Sequence, residues 1–259
     1  MNDEKYTLIT GGSEGIGYEL AKLFSADGHN VIIVARNETK LLKVKKELEE
    51  KYKNKIKTIS LDFTVEKSCE ELIEIVDKKN IIVDNLINNV GIGSFGAFCD
   101  AEEGFEDRII DINIRTVTML TKYYMKQMLS RGSGNILNVA STASFVAGPR
   151  MAMYYSTKAY VLSLTEALYE EAKGLGVYIG CLCPGPVRTE FQEKAGIKKA
   201  ESAQKYLMDA SDVAQKAYVG FKKKKAIIIP GFKNKLAVFG GKIAPRSISR
   251  KIILKNNIE

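Results

Sequence analysis

The chain is poor in the residues that build metal and redox centres. Among 259 residues it has one histidine and four cysteines. Cys69, Cys99, Cys181 and Cys183 form no Cys-x-x-Cys pair, and His29 sits alone in "ADGHNV", which reads as a surface turn between a helix and a strand. No metal site is expected from such a set. Cys181 and Cys183 stand two apart in the apolar run "VYIGCLC", which on a strand puts both on one face as small buried residues. Reduced thiols fit a cytoplasmic address. No run approaches the roughly 18 apolar residues of a spanning helix. The opening "MNDEKYTLIT" lacks the basic-then-apolar order of a signal peptide. There is no internal repeat and no Pro/Ser-rich linker, so one domain over residues 1–259 is expected.

What the chain does have is rhythm. Short apolar runs alternate with longer helical patterns. Strands are expected at 6–10, 30–35, 57–61, 84–88, 134–140, 177–183 and 226–230. Helices are expected at 15–28, from an N-cap at Asn37 to about Tyr52, and at 65–76. Two more fill 102–131, and a long one covers "MAMYYSTKAYVLSLTEALYEEAKG". Short strands apolar on both faces and separated by helices predict an α/β fold, a Rossmann-like doubly wound parallel sheet of about seven strands with helices on both faces. Ile16, Leu20, Leu23 and Phe24 mark the core side of the first helix.

Charge is unevenly placed. Residues 222–259 carry eleven Lys or Arg and one acid, Glu259, which is +10 against +8 for the whole chain. The basic C-terminal extension, 231–259, mixes these cations with apolar residues. It reads as a helix packed on the domain with a solvated basic face, or as a peripheral membrane contact, or as a wall of the pocket. Nucleic-acid binding is not expected, because the positive charge is terminal and no recognised module appears.

"TGGSEGIG" (10–17) joins the first strand to the first helix, with glycines at 11, 15 and 17. Small residues there let the backbone approach a pyrophosphate, which the helix N-terminus favours. The second strand ends "VARN". Ala35 stands where an acid would meet a free ribose 2′-hydroxyl, and Arg36 follows; with Ser13 it suits a 2′-phosphate, hence NADP(H). Ser141 follows the fifth strand in "VAST", at the end where open α/β sheets place their ligand crevice. In "MYYSTKA", Tyr154 is four residues and Tyr155 three residues before Lys158, so helical spacing leaves both tyrosines open. A hydroxyl, a phenol and an ammonium together suit carbonyl reduction. The phenol would give its proton, with its pKa lowered from about 10 by the lysine charge.

These motifs in this order resemble the short-chain dehydrogenase/reductase family, over roughly residues 5–230. The glycine turn is Thr10 to Gly17, the adenine-side acid Asp62 in "LDFT", and the N-N-A-G motif "NNVG" at Asn88 to Gly91. The asparagine is Asn113 in "DINIRT", and the P-G-x-V-x-T motif is "PGPVRT", Pro184 to Thr189. Gly12 and Val90 depart from the usual alanines. The thirteen-residue step from Ser141 selects Tyr154 over Tyr155, which is then a packing residue. The resemblance implies a catalytic set of Asn113, Ser141, Tyr154 and Lys158. It implies cofactor contacts from Gly11, Ser13, Gly15, Ile16, Gly17, Arg36, Asp62, Asn89, Gly91, Tyr154, Lys158, Pro184, Gly185, Val187 and Thr189. Lys158 would also bond the nicotinamide ribose, and Asn113 would serve a proton relay. It further implies a substrate lid at 190–210 and a homo-dimer or homo-tetramer. The substrate implied is a small carbonyl or alcohol. Apolar residues near the expected crevice, Phe95, Phe98, Phe145, Val146, Met151, Phe191, Ile197, Tyr206, Leu207 and Met208, suggest an apolar one such as a ketosteroid or ketoacyl compound. Bacterial members of similar appearance include hydroxysteroid dehydrogenases. The competing expectation is an NADP-binding regulatory or membrane-associated protein without turnover.

Overall fold

The computed structural model describes residues 5–196 and 207–257. Seven strands form one parallel sheet: β1 (Lys5–Thr10), β2 (Asn30–Ala35), β3 (Ile56–Ser60), β4 (Ile82–Asn88), β5 (Gly134–Val139), β6 (Val177–Leu182) and β9 (Ile227–Ile228), in the order β3-β2-β1-β4-β5-β6-β9. Parallel strands need crossovers, and helices supply them: α1 (Gly15–Ala26), α2 (Glu38–Tyr52), α3 (Ser68–Asp77), α4 (Phe105–Ile110), α5 (Thr116–Arg131) and α6 (Ala152–Glu171). The strand order reverses between β1 and β4, and this switch point opens the crevice.

Alternation along the strands sorts the core into two layers. Tyr6, Leu8, Ile32, Val34 and Leu86 face α3 and α5, where Leu72, Leu120 and Tyr124 meet them. Ile9, Val31, Ile33 and Ile87 face the other way, onto Leu20 and Phe24 of α1, Leu41 and Leu48 of α2, and Phe221 of the Ala210–Lys222 helix. Both faces are dry, which is why the strands read as continuous apolar runs. Cys181 and Cys183 lie on one face as expected, buried beside Val161 and Leu162 of α6, with their sulfurs 3.7 Å apart. Asn37 caps α2, its Oδ1 accepting the Lys40 N–H at 2.9 Å.

Several boundaries differ from expectation. The seventh strand is reduced to two residues, paired with Cys181 and Leu182. His29 lies in the expected turn, yet its ring is edge-on to Phe24 at 5.4 Å and half-buried rather than a free surface group. Residues 105–131 are not two separate helices. A π turn, Asp111–Arg115, runs without a break between α4 and α5. Such turns carry one residue more than the α spiral and concentrate at functional sites.

Asparagine and threonine side chains buried in and beside the sheet bond one another, although Asn88 Oδ1 has no hydrogen-bond partner among the described residues. Asn88 Nδ2 donates to Asn138 Oδ1 (2.8 Å) and Thr121 Oγ1 (3.0 Å), and Asn138 Nδ2 donates to Thr165 Oγ1 (3.0 Å). This fixes β4 against β5 and both against α5 and α6, directly below the crevice.

Candidate active site

The crevice begins where β1 ends. Thr10 Oγ1 accepts the backbone N–H groups of Asn89 (3.0 Å) and Val90 (3.1 Å). Asn89 Nδ2 returns bonds to the carbonyls of Thr10 and Gly11, both at 3.0 Å. The turn after β1 is thereby fastened to the turn after β4. Gly11 has φ +67°, and a methyl at Gly17 would lie 2.2 Å from the Gly11 carbonyl oxygen. Only glycine permits that packing of α1 on the turn. Glu14 stands at the N-cap of α1 without capping it. Its carboxylate turns outward to Lys40 (2.6 Å) and Lys194.

Lys40 and Lys194 also meet Glu190, at 2.9 and 3.0 Å. Four charges therefore join the glycine turn, α2 and the short helix α7 (Glu190–Lys194), which follows the "PGPVRT" segment. Hydrogen bonds from Lys40 and Lys194 hold Glu190 well below the usual carboxylate range. Sequence patterning carries no sign of this network, because its members lie up to 180 residues apart and each reads alone as a solvated charge. The ends of the long connection after β6 meet in a two-residue parallel ribbon, β7 (Val187–Arg188) with β8 (Met208–Asp209). The expected lid, 190–210, is described at both ends, whereas Ile197 and Tyr206 lie outside the described residues.

A cavity of about 1880 Å³ runs from this turn to the other side of the sheet. It is lined by every expected site residue except Gly17 and Asn113. Gly17 sits under the turn, and Asn113 lies behind the wall, fully buried in the π turn. Asn113 Oδ1 accepts the Ile92 N–H (2.9 Å), while its Nδ2 donates to the Ile92 carbonyl (2.9 Å) and to Thr157 Oγ1 (3.0 Å). Thr157 in turn donates to the Tyr154 carbonyl (2.9 Å). One asparagine thus ties the loop after β4 to the turn of α6 that carries Tyr154.

Ser141, two residues beyond β5, accepts the Ala143 N–H (3.1 Å) and reaches the Pro184 carbonyl (3.4 Å). Lys158 is 4% exposed and donates to the Val139 carbonyl at 3.0 Å. Its ammonium is 5.9 Å from the centre of the Tyr154 ring. A methyl at Gly91 would fall 3.1 Å from Lys158 Nζ and 3.3 Å from Asn113 Oδ1, so both groups close on that glycine. The Tyr154 ring also packs on Phe191 of α7 (5.5 Å). Tyr155 turns away: its ring lies flat on Gly148, where a methyl would be 2.2 Å from it, and it hydrogen-bonds Asn257. Helical spacing left the two tyrosines equal. The structure puts only Tyr154 beside Ser141 and Lys158.

Residues 5–200 match the sequence profile of the family described as short chain dehydrogenase. The chain belongs to the short-chain dehydrogenase family. Dehydrogenase/reductase SDR family member 6 of Aquarana catesbeiana is 35% identical over 188 residues, 72% of this chain and 73% of that protein. Among solved structures, a short-chain dehydrogenase from Sphingobium yanoikuyae in complex with NADPH is similar with a TM-score of 0.82. It is 26% identical, covering 97% of this chain and 96% of that one. A bulky-bulky ketone specific alcohol dehydrogenase from Comamonas testosteroni gives 0.78 at 28% identity, with 98% and 95% covered.

Within this short-chain dehydrogenase, the electrostatics of the site differ from the sequence expectation. Burial pushes the Tyr154 phenol up to about 12, with the Ser141 hydrogen bond pulling the other way. Burial also brings the Lys158 ammonium down to about 8. At 5.9 Å from the ring, and bonded to Val139, the lysine does not offset the desolvation of the phenol. Arg36 is at the rim, 61% exposed at its side chain, with one guanidinium nitrogen 3.8 Å from Asp62. Asp62 itself is held by the N–H and hydroxyl of Thr64, at 3.0 and 2.9 Å. Phe95, Phe98, Met151 and Phe191 line the cavity as expected. Phe145 and Val146 do not. They lie under the Phe232–Ile243 helix, with Gly241 against Val146 and the Lys242 ammonium over the Phe145 ring at 4.9 Å.

Proposed function

We propose that the chain interconverts an apolar ketone and its secondary alcohol using NADP(H). The observation that carries this reading is the meeting of Ser141, Tyr154 and Lys158 on the wall of a cavity that starts at the glycine turn. The cradle fits a dinucleotide: its glycines leave no room for side chains, and no side chain caps the first turn of α1, whose N–H groups remain available to a pyrophosphate. Ala35 and the rim position of Arg36, loosely paired with Asp62, favour a 2′-phosphate. The similar Sphingobium yanoikuyae enzyme was solved with NADPH.

NADPH, when bound, supplies the hydride that reduces the carbonyl carbon. The protein's own part is proton and charge control. Ser141 donates a hydrogen bond to the carbonyl oxygen. Tyr154 gives its proton to that oxygen as the C=O π pair collapses onto it. Lys158 stabilises the phenolate that remains. Asn113 keeps α6 and the loop after β4 in register and lies on the path by which the proton is replaced. Gly11, Ser13, Gly15, Ile16, Gly17, Asn89 and Gly91 would hold the pyrophosphate and ribose, and Pro184, Gly185, Val187 and Thr189 the nicotinamide end.

The cavity exceeds the range of roughly 300–1,000 Å³ common for small-molecule sites. Phe95, Phe98, Met151, Phe191 and Ile253 give it apolar walls with room for a bulky substrate beside the cofactor. The similar Comamonas testosteroni enzyme is described as specific for bulky-bulky ketones. The test is a spectrophotometric screen of NADPH oxidation with steroid ketones, ketoacyl thioesters and small aldehydes. Turnover should be greatest with the bulky ketones. Tight cofactor binding with no turnover across the panel would reject the reading.

A further inference from the structure

The Phe232–Ile243 helix is mounted with its apolar side outward. It rests on the domain through Asn234, which meets Pro230 and Met208, through buried Val238, and through Gly241. Phe232, Leu236, Phe239 and Ile243 follow at steps of four, three and four residues, so they share one stripe on the opposite side. The stripe is open: Phe232 is 79% exposed, Phe239 62% and Ile243 67%. The Arg246–Asn256 helix repeats the arrangement. Buried Ser249 faces the domain, Ile253 lines the cavity, and Ile248 and Ile252 point out. The two helices carry seven cations and no acid.

We infer that these two helices dock the protein on an anionic phospholipid surface. A neutral apolar patch of this size would fit several occupants, and the charge decides between them. A two-fold dimer through the stripe would set the cations of one copy against those of the other. An anionic headgroup layer attracts such cations instead, while the aromatic and aliphatic side chains enter the acyl boundary. No helix among the described residues is long and apolar enough to cross a membrane, so the contact is with the surface. Docking places the cavity-wall helix, through Ile248 and Ile252, against the lipid.

The experiment is vesicle flotation of the full chain with phosphatidylcholine alone and with added phosphatidylglycerol. The protein should float with the anionic vesicles, and high salt should weaken this. Leu236→Asp with Phe239→Asp should reduce flotation about ten-fold or more, and so should Lys235→Glu with Lys251→Glu, which spares the stripe. NADPH-dependent turnover of a water-soluble ketone, if the proposed activity is present, should be unchanged in both. Folding is checked by circular dichroism, and the charge pair serves if the apolar pair fails to fold. Three results would each overturn the inference: no association with either vesicle, equal association with both, or a wild-type dimer that Phe239→Asp splits while vesicles are ignored. Flotation does not depend on turnover, so loss of one reading leaves the other standing.

Discussion

Helix α6 buries a lysine, while the Phe232–Ile243 helix exposes two phenylalanines. Both invert the ordinary order of burial, and the neighbours of each explain why the inversion can persist. Lys158 is sealed between Gly91 and the Val139 carbonyl, with its charge weakened by desolvation. Its surroundings are complete apart from the open side toward the cavity. The outward stripe of the Phe232–Ile243 helix has no such surroundings among the described residues. A buried ammonium that uses one of its three donors on the Val139 carbonyl points inward to chemistry. An exposed apolar row with flanking cations points outward to another phase.

The contrast can be broken most severely at α6. Tyr154→Phe should lower kcat for ketone reduction by about 100- to 10,000-fold with little change in NADPH affinity, whereas Tyr155→Phe should retain most activity. Equal loss in the two variants would remove the distinction drawn between the tyrosines. Next in size is cofactor choice. Arg36→Asp should weaken NADPH binding by about 10- to 100-fold and favour NADH, read by fluorescence titration. A smaller and graded effect is expected from pH. Lys158 is charged below about 8 and loses its charge above it, while Tyr154 stays protonated to about 12. Reduction, which needs the ammonium and the neutral phenol, should therefore fall in kcat/KM as pH rises through about 8. A profile flat to pH 10 would separate Lys158 from the chemistry. Smaller still, Asn37→Ala should cost about 1 kcal/mol of stability in urea melts without touching turnover.

Much of this arrangement was legible because the motifs sit at strand ends. "TGGSEGIG", "NNVG", "VAST" and "PGPVRT" each follow an apolar run, and a parallel sheet gathers all such ends along one edge. What the spacing could not express was contact between elements that are distant in sequence. Glu14, Lys40, Glu190 and Lys194 have no common period. Phe145 and Val146 looked like crevice residues by position, but the Phe232–Ile243 helix lies over them. The lowered phenol pKa was inferred from charge alone, and burial reversed its direction at Tyr154. The π turn was hidden for a related reason: nothing in "DINIRT" marks a surplus residue, and the wide turn is held by the pairing of Asn113 with Ile92, far off in sequence.

That π turn makes the α4–α5 rod a two-phase object. Each residue advances an α-helix by about 100°, and the wide turn absorbs one surplus residue, so that Phe105 and Ile109 of α4 and Leu120 and Tyr124 of α5 all stay on the buried side. A regular spiral of the same length would swing one half of the rod by about that angle. Either Phe105 and Ile109 would leave the interior, or Leu120 and Tyr124 would. The site's asparagine is thus written into the phase of a 27-residue helix, from Phe105 to Arg131. Closing the wide turn into a regular spiral would be felt along the whole rod, where an ordinary substitution is felt at one side chain.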